Sequence, residues 1–205
     1  MPTTEVHIGV AALLEQCAQQ RAGAVSTLYE DDPMRLPRML QAEAAGRELM
    51  AALVRSDPYP DISLGAVIRR LIGYVQTIIN ASTPAEEIVP LLTVRAHHVT
   101  VGADAARLLR DTTVLLVLAA LDDGAQNVEV RLDSECAGTC LTVESDRPGI
   151  AVGLPALNAL RDNIGACGGT WKTISAAHGS SWLVHISIPA LAVREIFDEE
   201  VACDS

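Results

Sequence analysis

Aromatic side chains are scarce in this chain: of 205 residues only Phe197, Trp171, Trp182, Tyr29, Tyr59 and Tyr74 carry a ring. A core must be built from Ala, Leu, Val and Ile, and a hydrophobic content of 49% is enough for one medium domain plus a smaller helical piece. Cationic residues are also few, 15 Lys and Arg against 26 Asp and Glu, for a net charge of −11. Binding through a phosphate backbone depends on clustered Lys and Arg, so nucleic acid is not an expected partner. The longest apolar run is eight residues, far short of the roughly 20 that span a bilayer. Met1-Pro2-Thr3-Thr4-Glu5 shows no basic stretch leading into an apolar one, so neither an export signal nor a membrane span is expected and the expected location is cytoplasmic. Five cysteines, an odd number, fit neither a paired disulfide framework nor a zinc spacing. Cys136 and Cys140 flank a hairpin turn, and His97 and His98, being adjacent, point to opposite faces of a strand, so no metal site is expected.

The most apolar stretch lies in residues 111–121, DTTVLLVLAAL, a helix-length segment with little polar surface on any side, which predicts burial. It turns at Asp122-Asp123-Gly124 into the alternating Val128-Glu129-Val130-Arg131-Leu132. Upstream, residues 6–29 have Val10, Leu13, Leu14, Cys17, Val25 and Leu28 at helical spacing. Glu30-Asp31-Asp32-Pro33 breaks the pattern, and a second helix is predicted over about 34–54 with Met39, Leu40, Leu49, Met50 and Leu53 on one side. A lone helical hairpin cannot bury both apolar faces, so the economical arrangement is pairing with a second copy through residues 6–54 into a four-helix bundle. Ser56-Asp57-Pro58-Tyr59-Pro60-Asp61 reads as a linker. Beyond it comes a helix over 62–80, with Leu64, Val67, Ile68, Leu71, Ile72, Val75, Ile78 and Ile79 in register. Extended chain over 85–101 is predicted to hold one strand around Ile88–Val94 and another from His98. Strands are predicted over 128–133, 139–144, 170–176 and 181–188, a helix over 153–164, and an acidic tail over 191–205. The layout is α+β: a helical hairpin, a linker, then helices on one face of a mixed sheet.

Several strings, taken in order, resemble a known family. Glu5-Val6-His7, the Asp31-Asp32-Pro33 turn, and Gly46-Arg47-Glu48-Leu49 followed by a Pro-containing linker and Leu64-Gly65 resemble the dimerisation-and-phosphoacceptor hairpin of nitrate-sensor-type sensor histidine kinases. GAQNVEVRL at 124–132, LTVESDRPGI at 141–150, VGLPALNAL at 152–160 and CGGTWKTIS at 167–175 resemble the ATP-binding domain of the same kinases, the Bergerat fold of GHKL ATPases. The resemblance implies a dimerisation hairpin at 1–57, a histidine kinase-like ATPase domain built as an α/β sandwich at 62–190, and the tail at 191–205.

The resemblance also marks losses. The family's helix before the GAQNVEVRL-like string carries a glutamate and, four residues on, an asparagine that binds magnesium. Those positions fall on Val114 and Leu118, which offer no oxygen to a hard cation. A histidine often stands near the helix end, and here it is Asp122. In the family's DxGxG turn an aspartate accepts a hydrogen bond from the adenine amino group. Ser145 takes its place, Arg147 replaces the first glycine, only Gly149 persists, and Asp146 is one residue off. Gly153 and Leu154 keep half of the glycine-rich phosphate segment, with Pro155 directly after them. Losing one charged hydrogen bond and one metal contact costs roughly 3–5 kcal/mol, about a hundred- to several-thousand-fold in affinity. ATP and magnesium are therefore not expected as cofactors. His7 sits at the phosphoacceptor position, but Ile8 replaces the acid that in active relatives takes its proton.

Three functions compete. The first is a catalytically impaired, kinase-like dimer that binds a response regulator or a partner kinase, since function lives in sites grafted on folds. The second is an active, divergent kinase that autophosphorylates His7, with Asp146, Asp111 or Asp122 taking over the lost roles. The third is an anti-sigma-like partner-switch binder, against which the N-terminal hairpin weighs.

Overall fold

The computed structural model describes residues 35–54, 63–83, 87–99, 101–135, 138–147, 155–175 and 181–189. The predicted helix over 6–29 with His7, the linker at 56–61, Cys136, Gly149, Gly153, Leu154 and the tail at 191–205 lie outside the described residues. Four helices and five strands follow in the order α1 (Arg35–Val54), α2 (Leu64–Ser82), β1 (Leu91–Ala96), α3 (Ala103–Asp122), β2 (Asn127–Glu135), β3 (Gly138–Ser145), α4 (Pro155–Ala166), β4 (Thr170–Ser175) and β5 (Trp182–Pro189).

The strands form one sheet in the order β1-β2-β3-β5-β4, with β1 parallel to β2 and every other pair antiparallel. Alternation along the strands sorts the two faces. Val128, Val130, Leu132, Leu141, Val143, Trp182, Val184, Ile186 and Ile188 are buried on the helix-covered face. The opposite face carries Arg95, Glu129, Arg131 and Glu144, joined by Arg131 Nε donating to Glu129 Oε1 at 3.0 Å and Nη2 to Glu144 Oε2 at 3.1 Å. Arg95 Nε lies 2.9 Å from Glu129 Oε1. The hydrogen bond from Arg131 holds the Glu129 carboxyl below the ordinary range, against the opposing effect of burial. Cys140, buried on this face, has its Sγ 3.3 Å from His185 Nδ1.

α2 starts at Ser63, whose Oγ accepts from Ala66 N at 3.3 Å as an N-cap. Its apolar stripe is the expected one: Leu64, Ile68, Leu71, Ile72, Val75 and Ile79 are buried, and Val67 and Ile78 pack against them. The first turn lies so close to the end of β1 that a Cβ on Gly65 would sit 2.6 Å from His97 O, which only glycine permits. Farther along, Gln76 Nε2 donates to Pro90 O at 2.9 Å and its Oε1 accepts from Leu92 N at 2.9 Å, while Arg69 Nη2 donates to Ala96 O. α2 thus satisfies backbone groups along the outer edge of β1, where another chain would otherwise pair.

α1 matches the helix expected over 34–54, but its inner face is covered within the chain. Leu49 and Leu53 belong to the same buried cluster as the α2 stripe, and Gly46 lies near Ile78, whose Cδ1 would be 3.9 Å from an added Cβ. Leu40, expected on that apolar side, is 57% exposed. The strand expected from His98 is not found: His97, His98 and Val99 are irregular. Parallel pairing with β2 ends at Ala96↔Leu132, with His97 N donating to Leu132 O at 2.9 Å, and the chain then leaves the sheet to enter α3. α3 begins at Ala103, eight residues before the apolar stretch that announced it, and Leu109 through Ala120 are buried without a break. It closes on Gly124 at φ +80, with Gly124 N donating to Leu121 O and Asp123 N to Ala119 O. No helix among the described residues is long and apolar enough to cross a membrane.

Candidate nucleotide-pocket remnant

The residues expected to mark the pocket sit along α3 and where β3 ends. Val114 is 0% exposed and Leu118 4%, both within the hydrophobic cluster that includes Leu132, Leu141, Val143 and Val184. An apolar helix centred on the sheet is what this sequence buries best, and no magnesium ligand stands at either position. Asp122 is exposed in the last turn of α3.

The turn after β3 is tied to the start of β2 and the end of α3. Gln126 N donates to Asp146 Oδ1 at 3.0 Å and Asn127 Nδ2 to Asp146 Oδ2 at 2.9 Å. Asp146 N donates to Asn127 O at 3.2 Å, and Arg147 Nε donates to Gly124 O at 3.0 Å. Burial pushes the Asp146 carboxyl upward, but the hydrogen bonds from Asn127 and Gln126 outweigh it and leave it below the usual carboxylate range. Both carboxylate oxygens of Asp146 are thus committed to fastening a turn. Ser145, where the family resemblance expects an aspartate, is buried, and its Oγ accepts from Arg147 N at 3.3 Å.

Directly across the β3–β5 ladder from Ser145 is Trp182. It leads the largest fully buried side chains among the described residues, and its Nε1 has no hydrogen-bond partner among them. Trp182 reads in sequence as one core residue of an alternating strand. Only the register shows that the indole stands beside the aspartate position.

The acids expected to stand in for lost ligands sit in three different environments. Asp111 is buried and paired with Arg110 at 2.7 Å, Asp146 holds the turn, and Asp122 faces solvent. No group of three His, Cys, Asp or Glu among the described residues is placed to hold a metal ion. At the positions the family resemblance expects to serve magnesium-ATP, Val114 and Leu118 offer only hydrocarbon, and Ser145 stands beside the Trp182 indole.

No family model matches the chain, and no curated protein matches it significantly. Solved structures do share its fold. The histidine kinase domain of the Erythrobacter litoralis blue-light activated histidine kinase superposes with a TM-score of 0.50 at 18% identity, over 91% of this chain and 93% of that one. A structure described as a bacterial phosphotransferase superposes with a TM-score of 0.52 at 11% identity, over 90% of this chain and 96% of that one. The fold is that of histidine kinase domains, with the sheet and helices of their ATPase unit.

Proposed function

We propose that the chain is a catalytically impaired, histidine-kinase-like signalling protein that works as a dimeric binding scaffold in two-component-type regulation. It binds a response regulator or a partner kinase and does not use ATP. The observation that carries this reading is the burial of Val114 and Leu118 in the core of the helix that would have to present magnesium ligands. The turn after β3 supports it, because Asp146 spends both oxygens on Gln126 and Asn127. The homodimer is proposed through residues 6–54, with the predicted helix over 6–29 and the exposed Leu40 of α1 facing the second copy, since Leu49 and Leu53 are covered within the chain.

The test is incubation of the full chain with radiolabelled magnesium-ATP beside sedimentation analysis. A dimer without label on His7 fits the reading. Label lost in His7→Gln contradicts it in favour of an active divergent kinase, and a monomer contradicts the scaffold.

A second reading is favoured by the neighbour described as a phosphotransferase, which the chain covers almost end to end. In it His7 takes a phosphoryl group from another protein's phosphoresidue and passes it on, needing no ATP. His7 then acts as the nucleophile, and the phosphoryl bond to the donor breaks as the bond to the imidazole nitrogen forms. Phosphoramidate, a small phosphoryl donor, separates the readings: labelling of the wild type but not of His7→Gln supports the relay, and no labelling supports the pure scaffold.

A further inference from the structure

Arg110 and Asp111 are adjacent in α3, and both side chains are almost completely buried. Arg110 Nε donates to Asp111 Oδ1 at 2.7 Å. The rest of the guanidinium crosses to another helix: Nη1 donates to Ala52 O at 3.0 Å and Nη2 to Leu53 O at 3.1 Å. Ala52 and Leu53 belong to the last described turn of α1. One cation therefore binds two carbonyls of α1 and bridges segments 57 and 58 residues apart. Asp111 balances the charge and fixes the plane of the fork. Lysine has no such fork to offer two carbonyls and a carboxylate at once.

We propose that Arg110, oriented by Asp111, is a latch that fixes the C-terminal turn of α1 to the ATPase-like domain. With the latch closed, α1 and the domain move as one body, and a partner that touches both meets a surface of fixed geometry. With it open, the last turns of α1 leave while the sheet and α3 stay folded. Ala45, Leu49 and Leu53 are buried apolar side chains of α1, and the latch adds the polar hold at the end of that stripe.

Amide hydrogen exchange on the full chain tests this, because it reads α1 and α3 in the same molecule. Two variants are compared with the wild type. Arg110→Lys keeps the charge for Asp111 and loses the fork. Arg110→Met combined with Asp111→Leu removes both charges and leaves neither one buried alone. The expected result in both is at least tenfold faster exchange over residues 49–54, with residues 114–120 unchanged. Equal acceleration in both regions, or none in either, would overturn the proposal. The first would make the pair an ordinary part of the common core, and the second would make the apolar stripe sufficient. Neither outcome depends on whether the chain binds ATP.

Discussion

Ser145 and Trp182 face each other across the β3–β5 ladder, each only 1% exposed. If the expected alignment to the family holds, a nucleotide here would call for an aspartate and room for a base. Here a hydroxyl is occupied by Arg147 N, and an indole fills space inside the fold. Replacing Trp182 by Ala is expected to cost about 3–5 kcal/mol, the usual range for truncating a buried aromatic side chain. Denaturant unfolding measures it, and a loss below about 1 kcal/mol would show that the indole is not packed as described.

Placing a carboxylate on α3 where the family resemblance expects one is predicted to be costly. Val114→Glu places a carboxylate among Leu, Val and Ala side chains with no cation beside it, at a cost of at least about 3 kcal/mol. The variant is expected to unfold at lower denaturant and still to show no magnesium-dependent nucleotide binding. Stability equal to the wild type, measured by the same unfolding, would mean that the position opens to solvent.

Asp146 gives a pH signature. Its carboxyl is held below the ordinary 3.8, so its contribution to stability is fully present above 3.8 and is lost as pH falls through the lower folded-state value. The group is exposed and screened, so the effect is small, under about 1 kcal/mol. Asp146→Asn cannot titrate. The wild type is expected to lead it near neutrality, and the gap should close in acid below 3.8. A gap independent of pH in thermal unfolding would assign the turn's stability to something other than the carboxylate.

Gln76 bonds to Pro90 O and Leu92 N at the sheet edge. Gln76→Ala is expected to cost about 1–2 kcal/mol and to raise self-association through the bared edge of β1. Unfolding and light scattering check the two effects separately, and wild-type values in both would show that α2 covers the edge without this side chain.

The elements most legible in sequence were those whose burial follows from one-dimensional periodicity. All eight apolar positions of α2 are buried or half-buried, and the unbroken apolar stretch of α3 lies inside the core. Periodicity shows that a stripe is covered but not by what. The apolar side of α1 pointed to a bundle partner, yet Leu49 and Leu53 meet the domain's own core, and Leu40 turns outward. The strand expected from His98 failed for a different reason: extended residues need a neighbour, and the chain leaves the sheet after Ala96↔Leu132 although β2 continues to Glu135. At the candidate site, the burial of Val114 and Leu118 followed from the apolar stretch they belong to. The roles of Trp182 and Arg110 were not legible, because each depends on a residue far away in sequence, Ser145 for one and Ala52 and Leu53 for the other.

The proposal that this histidine-kinase-like fold does not bind ATP is tested most directly by thermal unfolding with and without millimolar magnesium-ATP. A ligand that binds only the native state raises the melting temperature. The account predicts superimposable curves. A reproducible rise of more than about 2 °C would contradict it and return the chain to the active, divergent kinases.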